Sequence, residues 1–299
     1  MWQPVLCPLC GAEDAIIRWR GALRPDDAAE AFACTNIYWS DYLQVVQCRR
    51  CGMIYSNPCE TADTLLQHYT AVVDHTYLAE IAGRQRTFAG LLARLRRLAP
   101  PPATVLDVGC YTGQFLAQAR AAGYTVTGLE PSRWAAEHAR TAHGLTVAGS
   151  TLADLPTGQH FDLITLWDVL EHLPTPHETI AAIAAHSMPG GWLALSTHNL
   201  AAPAARLLGG RYPFLMRMHV AHFTPATLAR LLAHHGYVIR RREPHVRWLR
   251  VGYAREKLER YAPRLHRLLT MAGGRQADGL LIPIAGVGLM NVYARKETS

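Results

Sequence analysis

From residue 103 onward, short apolar runs alternate with longer segments in which apolar residues recur at helical spacing. Apolar runs bounded by glycine or proline predict buried strands, and the longer segments predict helices. The sequence predicts seven strands, over 104–108, 124–129, 145–148, 161–167, 191–197, 237–241 and 287–294. Because strands that alternate with helices pair mostly in parallel, we expect an α/β fold with a seven-stranded, mostly parallel sheet and helices on both faces.

The composition is that of a folded globular protein, with 49% hydrophobic and 18% charged residues in 299. This excludes a disordered or low-complexity chain. The net charge of +7 is compatible with an anionic partner but selects none. The N-terminus has no basic segment followed by an apolar core, and the apolar stretch 279–290 is shorter than the roughly 18 residues that span a bilayer. We expect neither a secretory signal nor a transmembrane segment.

Six of the seven cysteines lie in the first sixty residues, and four of them form two CxxC-G motifs. Each motif brings two sulfurs to one point, and its glycine lets the chain turn behind them. Four thiolates suit tetrahedral Zn²⁺ and leave no open coordination position, so we expect a structural zinc site. An unmetallated or redox-active pair of turns is the alternative. The expected ligands are Cys7, Cys10, Cys48 and Cys51, in a reducing compartment such as the cytoplasm.

The predicted organisation has three parts: a zinc ribbon in 1–60, a helical linker in 61–102 and the α/β domain in 103–299. In the linker, residues 83–98 predict an amphipathic helix with its arginines, including Arg84, in solvent. A basic helical insertion is expected at about 243–280. Residues 240–275 hold eleven Arg or Lys and three Glu, a local charge of +8.

The predicted strand 104–108 leads into a turn of the form hhDxGxxxG, with Asp107, Gly109 and Gly113 at its fixed positions. The glycines allow the backbone to approach a ligand. Tyr111 stands where a dinucleotide fingerprint has its second glycine, and the leading acid disfavours pyrophosphate. The next strand ends at Glu130, whose carboxylate can accept hydrogen bonds from both hydroxyls of a ribose. The acid-led glycine turn and Glu130 together favour, as the ligand, a nucleoside that carries a cationic or amino group.

Residues 103–199 resemble a class I S-adenosylmethionine-dependent methyltransferase with a Rossmann-like sheet. The resemblance rests on the glycine turn at 105–113, the acidic motif at 128–132, the segment 161–173 and the PGG turn at 188–193. It implies that S-adenosyl-L-methionine is the cofactor. The residues that the resemblance assigns to cofactor binding are Asp107, Gly109, Tyr111, Gly113, Glu130, Pro131, Thr151, Leu152, Trp167 and Asp168.

A narrower resemblance covers nearly the whole chain. The paired cysteine motifs, the segments 55–58 and 219–224 and the closing 290–296 occur in the order found in zinc-ribbon methyltransferases of bacterial sugar and natural-product pathways. This implies a small-molecule or glycan acceptor. The basic insertion has three interpretations: a lid for a phosphorylated acceptor, an interfacial helix that contacts a membrane peripherally and suits a lipid-linked sugar, or a solvated basic face.

Methyl transfer to an oxygen of high pKa needs a general base as well as alignment of donor and acceptor. In a mostly parallel sheet, ligands bind at the edge formed by the carboxyl ends of the strands, which we call the ligand edge. Three histidines are predicted at this ligand edge of the sheet. His222, on a loop before a helix, is the first candidate for the base, and His172 and His219 are the others. Each could instead hold loops together through ordinary hydrogen bonds.

Three other functions remain open from the sequence. An RNA methyltransferase would use the ribbon and the basic insertion, although no RNA-binding module is recognisable. A zinc-dependent scaffold would have a vestigial pocket, against which the intact Asp107 and Glu130 argue. A nicotinamide oxidoreductase is disfavoured by Asp107 and Tyr111.

Overall fold

The structure is a computed structural model that describes residues 2–21, 31–36, 41–264, 266–267 and 276–298. Its first part is a set of short strands around the four motif cysteines. These strands are β1 (Trp2–Gln3), β2 (Ala15–Trp19), β3 (Val45–Cys48), β4 (Ile54–Ser56) and β5 (Cys59–Glu60). β2, β3 and β4 pair in antiparallel fashion, as does β1 with β5.

Three helices connect this part to the large sheet: α1 (Ala62–Thr70), α2 (His75–Ala79) and α3 (Ile81–Leu98). Asp74 caps the N-terminus of α2, and its carboxylate accepts a hydrogen bond from the N–H of Tyr77. α3 matches the predicted amphipathic helix in extent, but Arg84 is not on a solvated face. Its guanidinium lies 3.5 Å from the centre of the Tyr77 ring, in a partly buried cation–π contact.

The large domain alternates strands and helices. Its helices are α4 (Gln114–Ala121), α5 (Arg133–His143), α6 (Pro176–Ala185), α7 (Pro203–Leu208) and α8 (Pro225–His234). Its strands are β6 (Thr104–Val108), β7 (Thr125–Leu129), β8 (Val147–Gly149), β9 (Phe161–Trp167), β10 (Ser187–His198), β11 (Ala221–His222) and β12 (Tyr237–Pro244). β13 (Arg247–Arg250), α9 (Val251–Tyr261), β14 (Leu281–Ile284) and β15 (Leu289–Lys296) follow.

The predicted seven-stranded, mostly parallel sheet is confirmed, in the order β12-β15-β10-β9-β6-β7-β8. The five strands from β10 to β8 run parallel, and β15 is antiparallel to both of its neighbours. The predicted bounds hold to within a few residues. The strand predicted over 287–294 is β15.

Helices cover both faces of the sheet, as the sequence predicts. Successive strand residues point to opposite faces. Leu106 and Ile164 therefore join the core beneath α6 and α8, and Val105 and Leu163 join the core beneath α3, α4 and α5. All four side chains are fully buried.

The cysteine-bearing sheet is not separate from the large domain. β11 pairs with β4, through Ala221 with Tyr55 and His222 with Ile54, and becomes the fourth strand of that sheet. Met53 and Tyr55 belong to the same hydrophobic core as Leu228 and Leu231 of α8. His222 therefore lies on a strand rather than on the loop that the sequence predicts.

The basic insertion is only partly helical, because β13 and β14 pair in antiparallel fashion beside α9. Residues 265 and 268–275 of the insertion lie outside the described residues. β13 packs on α3, where a Cβ at Gly83 would lie 2.3 Å from the carbonyl oxygen of Trp248. None of the described helices combines the length and hydropathy that crossing a membrane requires.

Candidate active site

The carboxyl ends of the parallel strands meet at one edge of the sheet, and the predicted glycine turn lies there. The N–H groups of Gly109 and Cys110 both donate to the carbonyl oxygen of Leu129, at 2.8 and 2.9 Å, which fixes the turn to β7. Gly109 has a φ of +73°, and Gly113, at the start of α4, has a φ of +78°. The turn therefore leads directly into a helix N-terminus at the ligand edge.

Two buried carboxyl groups lie beside this turn. Asp107 is 2% exposed and Glu130 6% exposed. Asp107 accepts a hydrogen bond of 2.6 Å from the Thr165 hydroxyl, and Glu130 accepts bonds from the N–H groups of Tyr111 and Ser132, at 2.8 and 2.7 Å. Burial raises the pKa of Asp107 to about 8 and that of Glu130 to about 7, although these hydrogen bonds oppose the rise.

The chemistry of this pair fits S-adenosylmethionine. Within the described residues, neither carboxyl group forms an ion pair, so each is costly to ionise where it lies. A ligand with a positive charge and an amino group would supply the missing counter-charge at Asp107. The free acceptor positions on Glu130 suit a pair of ribose hydroxyls.

Tyr111 forms a wall of this site. Its φ of +49° is the left-handed conformation that usually favours glycine. Its ring lies 4.4 Å from the Tyr77 ring and 6.1 Å from the Trp134 ring, and its hydroxyl donates to Asp74 at 3.3 Å. Contacts from the linker helices therefore hold Tyr111 in this conformation. Asp74 and Tyr77 were not predicted as site residues, because they lie in a segment without a recognisable motif.

The other residues expected at the cofactor lie along the same edge. Pro131 is between Glu130 and the Ser132 cap of α5, and Thr151 begins a short turn of 3₁₀-helix that includes Leu152. Leu152 packs against the same core as Val169. Trp167, half-buried, packs edge-on against Phe115 at 5.4 Å.

Asp168 follows β9 with a φ of +56°. Its carboxylate accepts a hydrogen bond of 2.8 Å from the Ser196 hydroxyl and forms an ion pair with Arg247 of the insertion. Burial opposes its ionisation, but the Arg247 charge and nearby His245 outweigh burial and lower the pKa of Asp168 to about 2. The ion pair between Arg247 and Asp168 thus holds the insertion against the ligand edge of the sheet.

The three candidate bases lie in one buried cluster with His198, the last residue of β10. The ring centres of His172 and His219 are 4.7 Å apart, those of His198 and His219 5.2 Å, and those of His198 and His222 5.0 Å. Burial, reinforced by neighbouring imidazoles, lowers the pKa of His219 and His222 well below the usual value. Both are therefore neutral near pH 7.

A line of polar groups ends at His222. The Nδ1 atom of His198 lies 3.9 Å from a carboxylate oxygen of Glu171, and its Nε2 atom lies 2.9 Å from Nδ1 of His222. With the proton of His198 on Nδ1, toward the Glu171 carboxylate, Nε2 of His198 accepts a hydrogen bond from Nδ1–H of His222. In this tautomer the Nε2 atom of His222, which has no hydrogen-bond partner among the described residues, carries a free lone pair.

The cluster is joined to the cofactor turn through Tyr69 of α1. The Tyr69 hydroxyl lies 2.7 Å from Nδ1 of His172. Tyr69 and Tyr111 pack against the same small hydrophobic cluster, which also contains Met218. Neither Tyr69 nor a role for Glu171 in this cluster was predicted from the sequence motifs.

The four motif cysteines converge as the spacing predicts. One sulfur from each lies within 4.8 Å of the others, with Cys7 and Cys51 at 3.4 Å and Cys10 and Cys48 at 3.6 Å. Four thiolates around zinc would have their sulfurs about 3.8 Å apart, given Zn–S bonds of about 2.3 Å. The set therefore fits a tetrahedral metal site.

A Rossmann-like sheet with an acid-led glycine turn and a second acid at the next strand end defines a class I methyltransferase. A family model described as a methyltransferase domain matches residues 81–241, more than half of the chain. The chain belongs to this family. The predicted class, an S-adenosylmethionine-dependent methyltransferase, is confirmed for family and fold.

Two curated relatives are ubiquinone biosynthesis O-methyltransferases. That of Bordetella avium (strain 197N) is 40% identical over 105 residues, which cover 32% of this chain and 42% of the relative. That of Thiobacillus denitrificans (strain ATCC 25259 / T1) is 35% identical over 143 residues, 42% of this chain and 61% of the relative. The chain thus spans less than two thirds of these relatives.

Among solved structures, a candidate methyltransferase from Bacillus halodurans C-125 is similar, with a TM-score of 0.50 and 16% sequence identity. The match covers 69% of this chain and 99% of that chain. At this identity the likeness concerns the fold alone.

Proposed function

We propose that this protein is an enzyme that transfers a methyl group from S-adenosylmethionine to an oxygen of a small-molecule acceptor. The observation that carries the proposal is the pair of buried carboxyl groups at the ligand edge of the sheet, Asp107 and Glu130, for which the described part of the chain supplies no ion-pair partner. The O-methyltransferase names of the curated relatives support oxygen as the acceptor atom.

In this mechanism the chain positions the reactants and accepts a proton. Bound S-adenosylmethionine supplies a methyl group activated by a positively charged sulfur. Asp107 and the turn at Gly109 hold its methionine portion, and Glu130 holds the ribose. Tyr111 closes one side of the site and keeps water from it.

We propose His222 as the base: its buried Nε2 atom has no hydrogen-bond partner among the described residues, and it can take the proton of an acceptor hydroxyl once local movement gives the acceptor access. The positive charge that then forms on His222 is stabilised through His198 by the buried Glu171 carboxylate. His172 and His219 flank this line, and we propose that they position the acceptor.

The acceptor proposed here is a small molecule or a glycan unit rather than a polyanion. Arginines of the insertion already bind carboxylates of the chain: Arg247 pairs with Asp168, Arg250 with Glu80 and Arg255 with Asp278. They are therefore less available to a phosphate or a lipid headgroup. We propose that the four cysteines hold a structural zinc ion, and that the enzyme works in the cytoplasm, where its thiols stay reduced.

The first test is cofactor binding by calorimetry. Glu130→Gln replaces a charged acceptor with a neutral one, and it should weaken S-adenosylmethionine binding about 10- to 100-fold, the loss expected of hydrogen bonds to a charged group. Glu137→Gln, at an exposed position on α5, is the matched control. Equal affinity in both variants would remove Glu130 from the ribose.

The second test separates catalysis from binding. His222→Gln should lower turnover by about 10²- to 10⁴-fold, the range of general base catalysis, with cofactor affinity unchanged. His160→Gln, at an exposed histidine, is the control. Turnover is measured by mass spectrometry of the methylated product from a panel of hydroxylated acceptors, and full activity of His222→Gln would eliminate it as the base.

A further inference from the structure

A second group of three histidines lies apart from the proposed active site. His177 is in the first turn of α6, His234 is the last residue of α8 and His235 follows it. Their ring centres form a nearly equilateral triangle: 4.9 Å separates His177 from His234, 5.1 Å separates His177 from His235, and 4.9 Å separates the two adjacent histidines. One ligand nitrogen of each lies within 4.8 Å of the other two.

Hydrogen bonding fixes the orientation of His177. Its Nε2 atom donates to the carbonyl oxygen of Leu9 at 2.9 Å, so its lone pair is on Nδ1. That Nδ1 atom accepts a hydrogen bond of 2.9 Å from Nε2–H of His235, and a metal ion at this position would replace the shared proton. An N–H that donates to a backbone carbonyl while the other ring nitrogen faces inward is the usual arrangement of a metal-bound histidine.

The cluster is also accessible. His234 is exposed, and His177 and His235 are half-buried. Imidazole nitrogens are ligands that suit Zn²⁺ and Ni²⁺.

The geometry points to a second metal site, in which His177, His234 and His235 bind a divalent transition-metal ion of the Zn²⁺ type. Three protein ligands leave the fourth position to water. Leu9 lies between Cys7 and Cys10, so this site is at the contact between the first cysteine motif and the large domain. A bound ion would join α6 and α8 at that contact and stabilise the docking of the motif.

The test is titration of full-length protein with Zn²⁺, after dialysis against a weak chelator that leaves tightly held metal in place. We expect one further equivalent to bind, and His234→Ala to weaken that step at least tenfold. His160→Ala, at an exposed histidine on another surface, should leave it unchanged. Because His234 is exposed, its replacement should not impair folding, which thermal unfolding checks.

Co²⁺ distinguishes this site from the cysteines. Cobalt bound by cysteine thiolates has intense charge-transfer absorption, whereas cobalt at three imidazoles has none. The further equivalent should therefore bind without thiolate absorption, and the binding step should be weakened in His235→Ala as well. The proposal is overturned if no further equivalent binds, if it carries thiolate absorption, or if His234→Ala binds as tightly as His160→Ala.

Discussion

At the scale of single residues, two buried acids decide how the site responds to pH. Asp107 and Glu130 have pKa values raised to about 8 and about 7, mainly by burial. Without ligand, Asp107 is mostly protonated at pH 7, and Glu130 is about half protonated. Binding of a cationic ligand favours ionised Asp107, because only the carboxylate supplies the counter-charge, and ionised Glu130 is the stronger acceptor for the ribose hydroxyls.

Cofactor affinity should therefore rise as the pH increases from about 6 to 9, through the two raised pKa values. The Asp107→Asn protein, whose side-chain amide does not ionise, should bind S-adenosylmethionine more weakly. Its affinity should also depend less strongly on pH. Calorimetric titration with S-adenosylmethionine at several pH values measures both. A pH-independent affinity in the unsubstituted protein would contradict this account of Asp107.

At the scale of elements, the short strand β11 links the cysteine-bearing sheet to the proposed base. β11 carries His222 and pairs with β4, which follows the second cysteine motif after a few residues. The motifs are also held by hydrogen bonds from the large domain: His177 donates to Leu9, and Arg230 donates to the carbonyl oxygen of Cys51 at 3.1 Å. The metal proposed at the cysteines therefore supports the position of His222.

Removal of one cysteine ligand should reduce activity at a distance. Cys10→Ser is expected to lower the zinc content by one equivalent and to reduce turnover more than cofactor affinity. Glu13→Gln, at an exposed position beside the first cysteine motif, should change neither. Metal analysis and product formation provide the readouts, and a zinc-free Cys10→Ser protein with normal turnover would contradict the link.

At the scale of the whole molecule, the three predicted parts share their cores and contacts. Met53, which is fully buried, packs into the same core as the α8 leucines. The insertion is fastened to α3 and to Asp168. We therefore expect a single cooperative unfolding transition rather than independent melting of a ribbon.

Met53→Ala tests this expectation. It should lower the free energy of unfolding by about 2–5 kcal/mol, the cost of a large-to-small substitution in a core. The whole transition should shift, as followed by calorimetry. Leu207→Ala, at a side chain that is 88% exposed, should have little effect. Two separate transitions, of which only the first responds to Met53→Ala, would show that the parts fold independently.

The sequence by itself determined the sheet, the glycine turn and the cysteine cluster. Each is encoded locally: strand and helix periodicity, the spacing of Asp107, Gly109 and Gly113, and two CxxC-G motifs. Such signals depend on contacts within a few residues, or on the rule that parallel strands end at one edge of a sheet. Residue spacing therefore sufficed for these features.

Only the tertiary structure decided what surrounds the site. Tyr111 meets Asp74 and Tyr77 from the linker, and Glu171, His198 and His222 form one line although they come from separate segments. The fourth strand of the cysteine-bearing sheet comes from residues 221–222. These contacts join residues far apart in the chain, and packing between elements, which periodicity does not encode, brings them together.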